Sequence, residues 1–195
     1  MKELGPLQYV LGLEMHSTLA GIFLHQHKYI QKLIALAGLQ DGHSIDTPLK
    51  VNVKYHRDEG DFLFDPSLYR QLVGNLKYLT ITRPDIFFAV QQVNQFMQAP
   101  RHLYLAAIRR IVRYLQGTSA QGLFFPVDSP IHLLAYNDAD WAGCYDPRRS
   151  ITGRCMFLGT FVVSWKSKKQ DWVSKSSTES EYHAMSSACF EIVWL

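Results

Sequence analysis

Residues 136–143, Tyr-Asn-Asp-Ala-Asp-Trp-Ala-Gly, are the stretch from which the fold can be worked outward. An apolar run, Ile131–Ala135, leads straight into Asp138 and Asp140. Side chains two apart on a strand leave the same face, so the spacing predicts two carboxylates projecting together from a strand end. A second acidic element, Glu179-Ser180-Glu181, opens what reads as the last helix. Carboxylates supplied by a strand and a helix suit hard cations such as Mg²⁺. Two such ions can clamp a phosphodiester during hydrolysis. The competing reading is structural. An Asp at a strand end serves as a turn former or cap, and Thr178-Glu179-Ser180-Glu181 matches a capping box that would occupy Glu181.

Around this stretch the pattern is antiparallel. A loop, 145–150, carries Arg148 and Arg149, and strands are expected near 153–158 and 161–166. Lys166, Lys168 and Lys169 fall in the expected turn after them, interleaved with Trp165 and Trp172. Bases stack on such aromatic rings, and core packing is the alternative. The final helix starts near Thr178 and still runs at Leu195.

Towards the N-terminus, 118–130 reads as a turn-rich linker, so we expect one part over 1–117 and another over 131–195. Three helices precede the linker, at about 66–79, from Pro84 to Pro100, and at about 102–116, each with apolar residues at helical spacing. Arg109, Arg110 and Arg113 lie off the apolar face of the third and are candidate phosphate contacts; a solvated helix face is the alternative. The stretch 38–66 is a long connection for a compact domain. A short helix follows Lys28 and stops at Gly38. Before it, 9–15 and 22–24 read as a hairpin with Gly12 inside a strand, where a bulge or a close backbone approach is expected. His25 and His27 form an HxH pair without a third ligand nearby, which reads as polar surface.

Composition sets the bounds. The 195 residues are 47% hydrophobic and 13% aromatic, which supports packed cores and excludes wholesale disorder. The net charge of +3 permits nucleic-acid binding without arguing for it, so local clusters must carry that case. Three cysteines without CxxC spacing read as reduced thiols of an intracellular protein. No run of about 18 apolar residues marks a membrane span.

Several long motifs, in order, resemble the copia-type retrotransposon Pol polyprotein. MKELGPLQYVLGLEM (1–15) is similar to the segment after the polymerase active-site motif. YRQLVGNLKYLTITRPDIFFAV (69–90) and PRHLYLAAIRRIVRYLQGT (100–118) resemble the thumb helices. YNDADWAGCYDPRRSITG (136–153) and SWKSKKQDWVSKSSTESEYHAM (164–185) resemble the first half of a ribonuclease H domain. Tyr104 and His183 stand where the pattern has His and Arg.

The resemblance implies an α+β chain. Its first part would be a hairpin with a helical, thumb-like region, the C-terminal part of a reverse transcriptase. Its second would be a truncated ribonuclease H-like sheet of three antiparallel strands with one packed helix. Asp138 then matches the first metal-binding aspartate and Glu181 the catalytic glutamate, with Asp140 a further candidate ligand for Mg²⁺ in the intact parent. The segment around Gly12 matches the primer grip. Arg109, Arg110, Arg113, Arg148, Arg149, Lys166, Lys168 and Lys169 are the expected contacts to an RNA–DNA hybrid or other nucleic acid. The polymerase aspartate pair is expected before Met1 and further ribonuclease H carboxylates beyond Leu195. The chain would then be an inactive piece of a larger enzyme, prone to self-association through an uncovered sheet edge. A non-catalytic nucleic-acid-binding protein and a functionless remnant are the alternatives.

Overall fold

A computed structural model describes residues 8–50, 55–56, 59–144 and 147–195. These divide into two compact units, one built from 8–50 and 60–128, the other from 129–195 with Tyr55, His56 and Glu59. The chain is α+β, with two antiparallel sheets and five α-helices among the described residues. None of the described helices is long and apolar enough to cross a membrane.

The first unit opens with β1 (Tyr9–Val10), β2 (Leu13–Ser17) and β3 (Gly21–His25), each antiparallel to the next. Gly12 does not lie inside a strand as expected. Val10 pairs directly with Leu13, so Leu11 and Gly12 form a two-residue turn, with φ of 49° and 84°. Positive φ at both central residues is the geometry whose twist matches a tight hairpin.

Four helices follow: α1 (His27–Leu36), α2 (Ser67–Leu79), α3 (Phe87–Asn94) and α4 (His102–Gly117). A single 3-10 turn, Pro84–Ile86, leads into α3. The apolar positions that predicted these helices are the ones they bury: Leu72, Val73, Leu76 and Leu79 on α2, Ile108, Ile111, Val112 and Leu115 on α4. Tyr104, the departure from the family pattern, is fully buried with its ring stacked 3.8 Å from that of Phe96. A phenol at this position therefore fills the core. Part of the long 38–66 connection lies along α4, where Arg110 Nη2 donates to Thr47 Oγ1 at 2.7 Å.

The expected linker holds a strand. β4 (Gly122–Pro126) returns from α4 and pairs antiparallel with β3, which makes the first sheet four-stranded, in the order β1-β2-β3-β4. The turn formers Gly122 and Pro126 border Leu123-Phe124-Phe125, a run too short for its composition to stand out. The hairpin expected in this part is thus half of a sheet.

A buried ion pair ties the connection between α2 and α3 to the end of α4. Arg83 is 1% exposed, and its Nε and Nη2 donate to the two carboxylate oxygens of Asp85 at 2.9 and 2.7 Å. Its Nη1 and Nη2 also donate to the carbonyl and the hydroxyl of Thr118, just past α4, at 2.9 and 2.7 Å. Tyr114 donates to Asp85 as well, at 2.9 Å.

In the second unit β5 (Leu133–Cys144), β6 (Arg149–Leu158) and β7 (Phe161–Lys169) form an antiparallel sheet in sequence order, and α5 (Ser177–Trp194) packs on β5 and β6. The lysines expected in a turn lie within β7 instead, because Lys166, Ser167 and Lys168 continue the ladder opposite Arg154, Gly153 and Thr152. Ser167 is the buried residue of that end and keeps the strand paired there.

Asp85→Asn leaves the Arg83 guanidinium buried without its anion, and should destabilise the first unit by about 2–3 kcal/mol in denaturant titration. Burial pushes the Asp85 carboxyl up, but the Arg83 guanidinium and the Tyr114 hydroxyl outweigh it and hold it below its ordinary 3.8. A lowered carboxylate contributes stability above its unfolded value and loses it as pH falls through the folded one. The wild-type midpoint should therefore drop in strong acid, and the Asp85→Asn midpoint should drop less. Equal pH profiles would refute this role.

Candidate active site and nucleic-acid surfaces

Glu181 reaches the open edge of β5 from α5, whereas Asp138 and Asp140 leave the other face of that strand. Among the described residues this strand pairs with β6 alone, so one row of its backbone groups faces away from the sheet. The Ala139 N–H donates to Glu181 Oε1 at 3.3 Å, across from α5. The catalytic candidate from the helix thus sits against the backbone of the residue that follows Asp138.

The side-chain faces follow from the register. Arg154 reaches α5, with Nη1 donating to the Ser187 carbonyl and hydroxyl at 2.9 and 2.7 Å. Asn137 and Ala139 stand opposite Arg154 and Thr152, so they share the helix-covered face. Alternation then places Asp138 and Asp140 on the other face, opposite Gly153 and Ile151. Carboxylates from the strand and the helix would have to share one face of the sheet to form a joint metal site, and they do not: Glu181 lies on the helix side and Asp138 on the far side, because the register gives the helix face to Asn137 and Ala139. Among the described residues, no three His, Cys, Asp or Glu side chains gather as a metal-holding group.

Asp140 is committed locally. The ladder slips between Asp140 and Cys144, where Ala142 takes φ of 53° and its N–H donates to Ser150 Oγ at 3.2 Å. The Asp140 carboxylate folds over Gly143, and a Cβ there would lie 2.1 Å from its Oδ2. Trp141 anchors the same bulge by donating from Nε1 to the Ser174 carbonyl at 3.0 Å. Both aspartates are exposed on the same face, with Asp140 lying over Gly143 at the bulge.

The capping box lies two residues earlier than the sequence pattern placed it. Ser176 is the N-cap of α5, and its hydroxyl accepts from the Glu179 N–H at 3.1 Å. Glu179 Oε2 accepts from the Lys175 N–H at 2.6 Å. Glu179 thus does the structural work and leaves Glu181 free of it. Ser176 has extended backbone, with φ of −142° and ψ of 164°, and that conformation places the cap.

Sequence reasoning missed Gln170. Its amide donates to Thr152 Oγ1 at 3.0 Å and to the Ser180 carbonyl at 2.9 Å, and its oxygen accepts from Ser174 Oγ at 3.1 Å. Thr152 stands opposite Ala139, and Ser180 precedes Glu181. Gln170 therefore fixes the start of α5 against the sheet at the level where Glu181 meets β5. A glutamine in a lysine-rich stretch gives no sequence signal that it will be buried.

The basic candidates divide. Arg109 and Arg113 are exposed, one turn apart on α4, whereas Arg110 is half-buried on Thr47. Arg148, in the β5–β6 turn, and Arg149, at the start of β6, are exposed. Lys166 and Lys168 face the α5 side of β7, opposite Arg154 and Thr152, and Lys168 lies 3.5 Å from Asp171. Gly12 is presented at the tip of the β1–β2 turn. Tyr78 donates from its hydroxyl to the Leu11 carbonyl, and its ring lies under Gly12. The Leu11 side chain is 84% exposed, so a fixed turn carries an apolar side chain into solvent.

No family model and no solved structure matches the chain. Curated relatives do. An uncharacterized mitochondrial protein of Arabidopsis thaliana is 41% identical over 194 residues, all of this chain and 80% of that protein. The retrovirus-related Pol polyprotein from transposon RE1 of the same plant is 40% identical over the whole chain. The corresponding polyprotein from transposon TNT 1-94 of Nicotiana tabacum is 35% identical, again over the whole chain. The chain spans 13% and 15% of these two polyproteins. Such matches define the class as a retroelement polyprotein. The chain belongs to the copia-type retrotransposon Pol family.

The two acidic roles can be separated by measurement. Ser176→Ala removes the cap and should cost about 1 kcal/mol of stability. Glu181→Gln keeps an oxygen for the Ala139 N–H and should change stability by less than about 0.5 kcal/mol, as for substitutions outside buried networks. Denaturant midpoints in the reverse order would return the capping role to Glu181.

Proposed function

We propose that this chain is the part of a retrotransposon Pol protein that joins the end of a reverse transcriptase to the beginning of a ribonuclease H-like domain. In the intact parent, the second unit would hydrolyse the RNA strand of an RNA–DNA hybrid. One observation carries this reading: Glu181, released from capping by Glu179, meets the β5 backbone beside the exposed Asp138. The first unit, with its Leu11–Gly12 turn and the exposed Arg109 and Arg113, would lie against the primer–template.

The donor set fits Mg²⁺ in kind, because carboxylate oxygens are the ligands this ion takes. Asp138 and Glu181 would hold it only if both carboxylates turned over the edge of β5 that separates them. When bound, the ion supplies charge stabilisation and an activated water. The chain's own share would be to hold the start of α5 against β6, through the bonds of Gln170 to Thr152 and to the Ser180 carbonyl, so that Glu181 stays near β5. Two carboxylates are a thin cage for two ions, so the parent must add others and this chain alone should cleave slowly or not at all. We also propose that the free edge of β5 serves self-association when no further strand covers it, since open edges pair with other chains.

The test uses the parent polyprotein with a labelled RNA–DNA hybrid and Mg²⁺. Asp138→Asn and Glu181→Gln should each reduce cleavage at least about 100-fold, the several kcal/mol that metal-bound charge stabilisation supplies. Asp140→Asn should cost less. Cleavage that survives Asp138→Asn would remove the reading.

A further inference from the structure

The start of α1 is capped from the sheet instead of by its own N-cap residue. Gln26 holds the N-cap position, but its side-chain oxygen accepts from the Thr82 hydroxyl at 2.8 Å and makes no cap bond. The first N–H groups of a helix have no intrahelical partners. Here two strands supply them. Glu14 Oε1, from β2, accepts from the Lys28 N–H at 2.7 Å. His25 Nδ1, at the end of β3, accepts from the His27 N–H at 3.3 Å. Both side chains are enclosed: Glu14 is 10% exposed and His25 11%, although the sequence pattern placed His25 on a polar surface.

A ring nitrogen that accepts a hydrogen bond carries no proton, so the bond from His27 requires a neutral His25 with its proton on Nε2. A second proton would land on Nδ1 and face another donor. The carboxylate within reach is Glu14, whose Oε1 lies 3.7 Å away and is the oxygen that already holds the Lys28 N–H. One proton therefore acts on both caps. It ends the bond from His27, and it sets His25 in competition with Lys28 for the same oxygen.

The surroundings oppose that proton. From β2, the His16 ring stacks on His25, with centroids 5.0 Å apart and planes 4° from parallel. From α1, the His27 ring donates to the Ser119 carbonyl at 3.2 Å, and Lys28 Nζ lies 3.7 Å from Glu14 Oε2. From β4, Gly122 stands opposite His25, and that strand has no titratable group. Burial outweighs the attraction of Glu14 and, with the charges of His16, His27 and Lys28, holds the His25 imidazole below its ordinary 6.5.

We propose that His25 is a proton-operated latch between the first sheet and α1, which secures the helix start when neutral and frees it in weak acid. A lowered group contributes stability above its unfolded value and loses it as pH falls through the folded one. The latch is therefore closed in neutral solution and opens below 6.5. Its reach extends to the Leu11–Gly12 turn, because Tyr29, the third residue of α1, lies under Gly12: a Cβ there would sit 3.7 Å from the Tyr29 ring.

Amide hydrogen exchange of the full chain at about pH 7.5 and about pH 5.5, corrected for intrinsic rates, tests this together with an NMR titration of the His25 ring. In the wild type, protection at the start of α1 should fall roughly fivefold in acid, the factor that one cap hydrogen bond contributes, while α4 keeps its own. His25→Asn places an amide oxygen, which accepts without titrating, near the position of Nδ1. It should hold the α1 protection within about twofold over the same range. Unchanged wild-type protection would overturn the latch. So would an equal loss in His25→Asn, which would assign the pH dependence to other groups, or an equal loss in α4, which would make the acid effect global. If His25→Asn does not fold, the ring titration decides: a midpoint below 6.5 supports the latch, and one above it overturns it.

Discussion

The first unit depends on one buried cation. Arg83 follows α2 and precedes α3, and its guanidinium binds both Asp85 and the end of α4. An unpaired guanidinium in that position would cost several kcal/mol, so the native arrangement must satisfy it completely. Doing so fixes the direction in which the chain leaves α4 at Thr118. The next residues form β4, which must arrive beside β3 in register. The Thr-Arg-Pro-Asp stretch at 82–85 reads as the break between two helices, and nothing in it marks the arginine for burial. Its arginine is in fact among the least exposed side chains of the chain.

The second unit solves a similar problem with neutral groups. Gln170 makes three hydrogen bonds at the junction of β6, the β7–α5 loop and α5. A buried amide with its partners in place ties elements together without the desolvation cost of an ion. The consequence reaches the acidic site, because the carbonyl that Gln170 holds belongs to the residue before Glu181.

The helices of the first unit were legible because apolar residues recur at helical spacing and end at Gly, Pro or Thr-Arg-Pro. The β5 to β7 hairpins were legible from alternation. β4 was not, because Leu123-Phe124-Phe125 is a strand only by virtue of β3, more than ninety residues earlier, standing beside it. The Leu11–Gly12 turn was hidden for a different reason: leucine rarely takes positive φ, so nothing marks the chain as reversing there. At the candidate site, Asp138 and Glu181 are named by the family resemblance. Their approach from two faces of the sheet required the register. The cap at Ser176 was misplaced by two residues because two hydroxyl–acid patterns overlap, and only the backbone conformation chooses between them.

The hydrogen bond from Ala139 to Glu181 has a consequence for assembly. The carboxylate occupies a main-chain donor that an incoming strand would otherwise use, so it acts as a stopper on sheet extension at that level. If Asp138 and Glu181 share an ion, the ion and the edge compete for the same side chain. Loading the metal would then unplug the strand, and capping the strand would release the glutamate. Ion occupancy and the completeness of the sheet would thus be thermodynamically linked, each favouring the other.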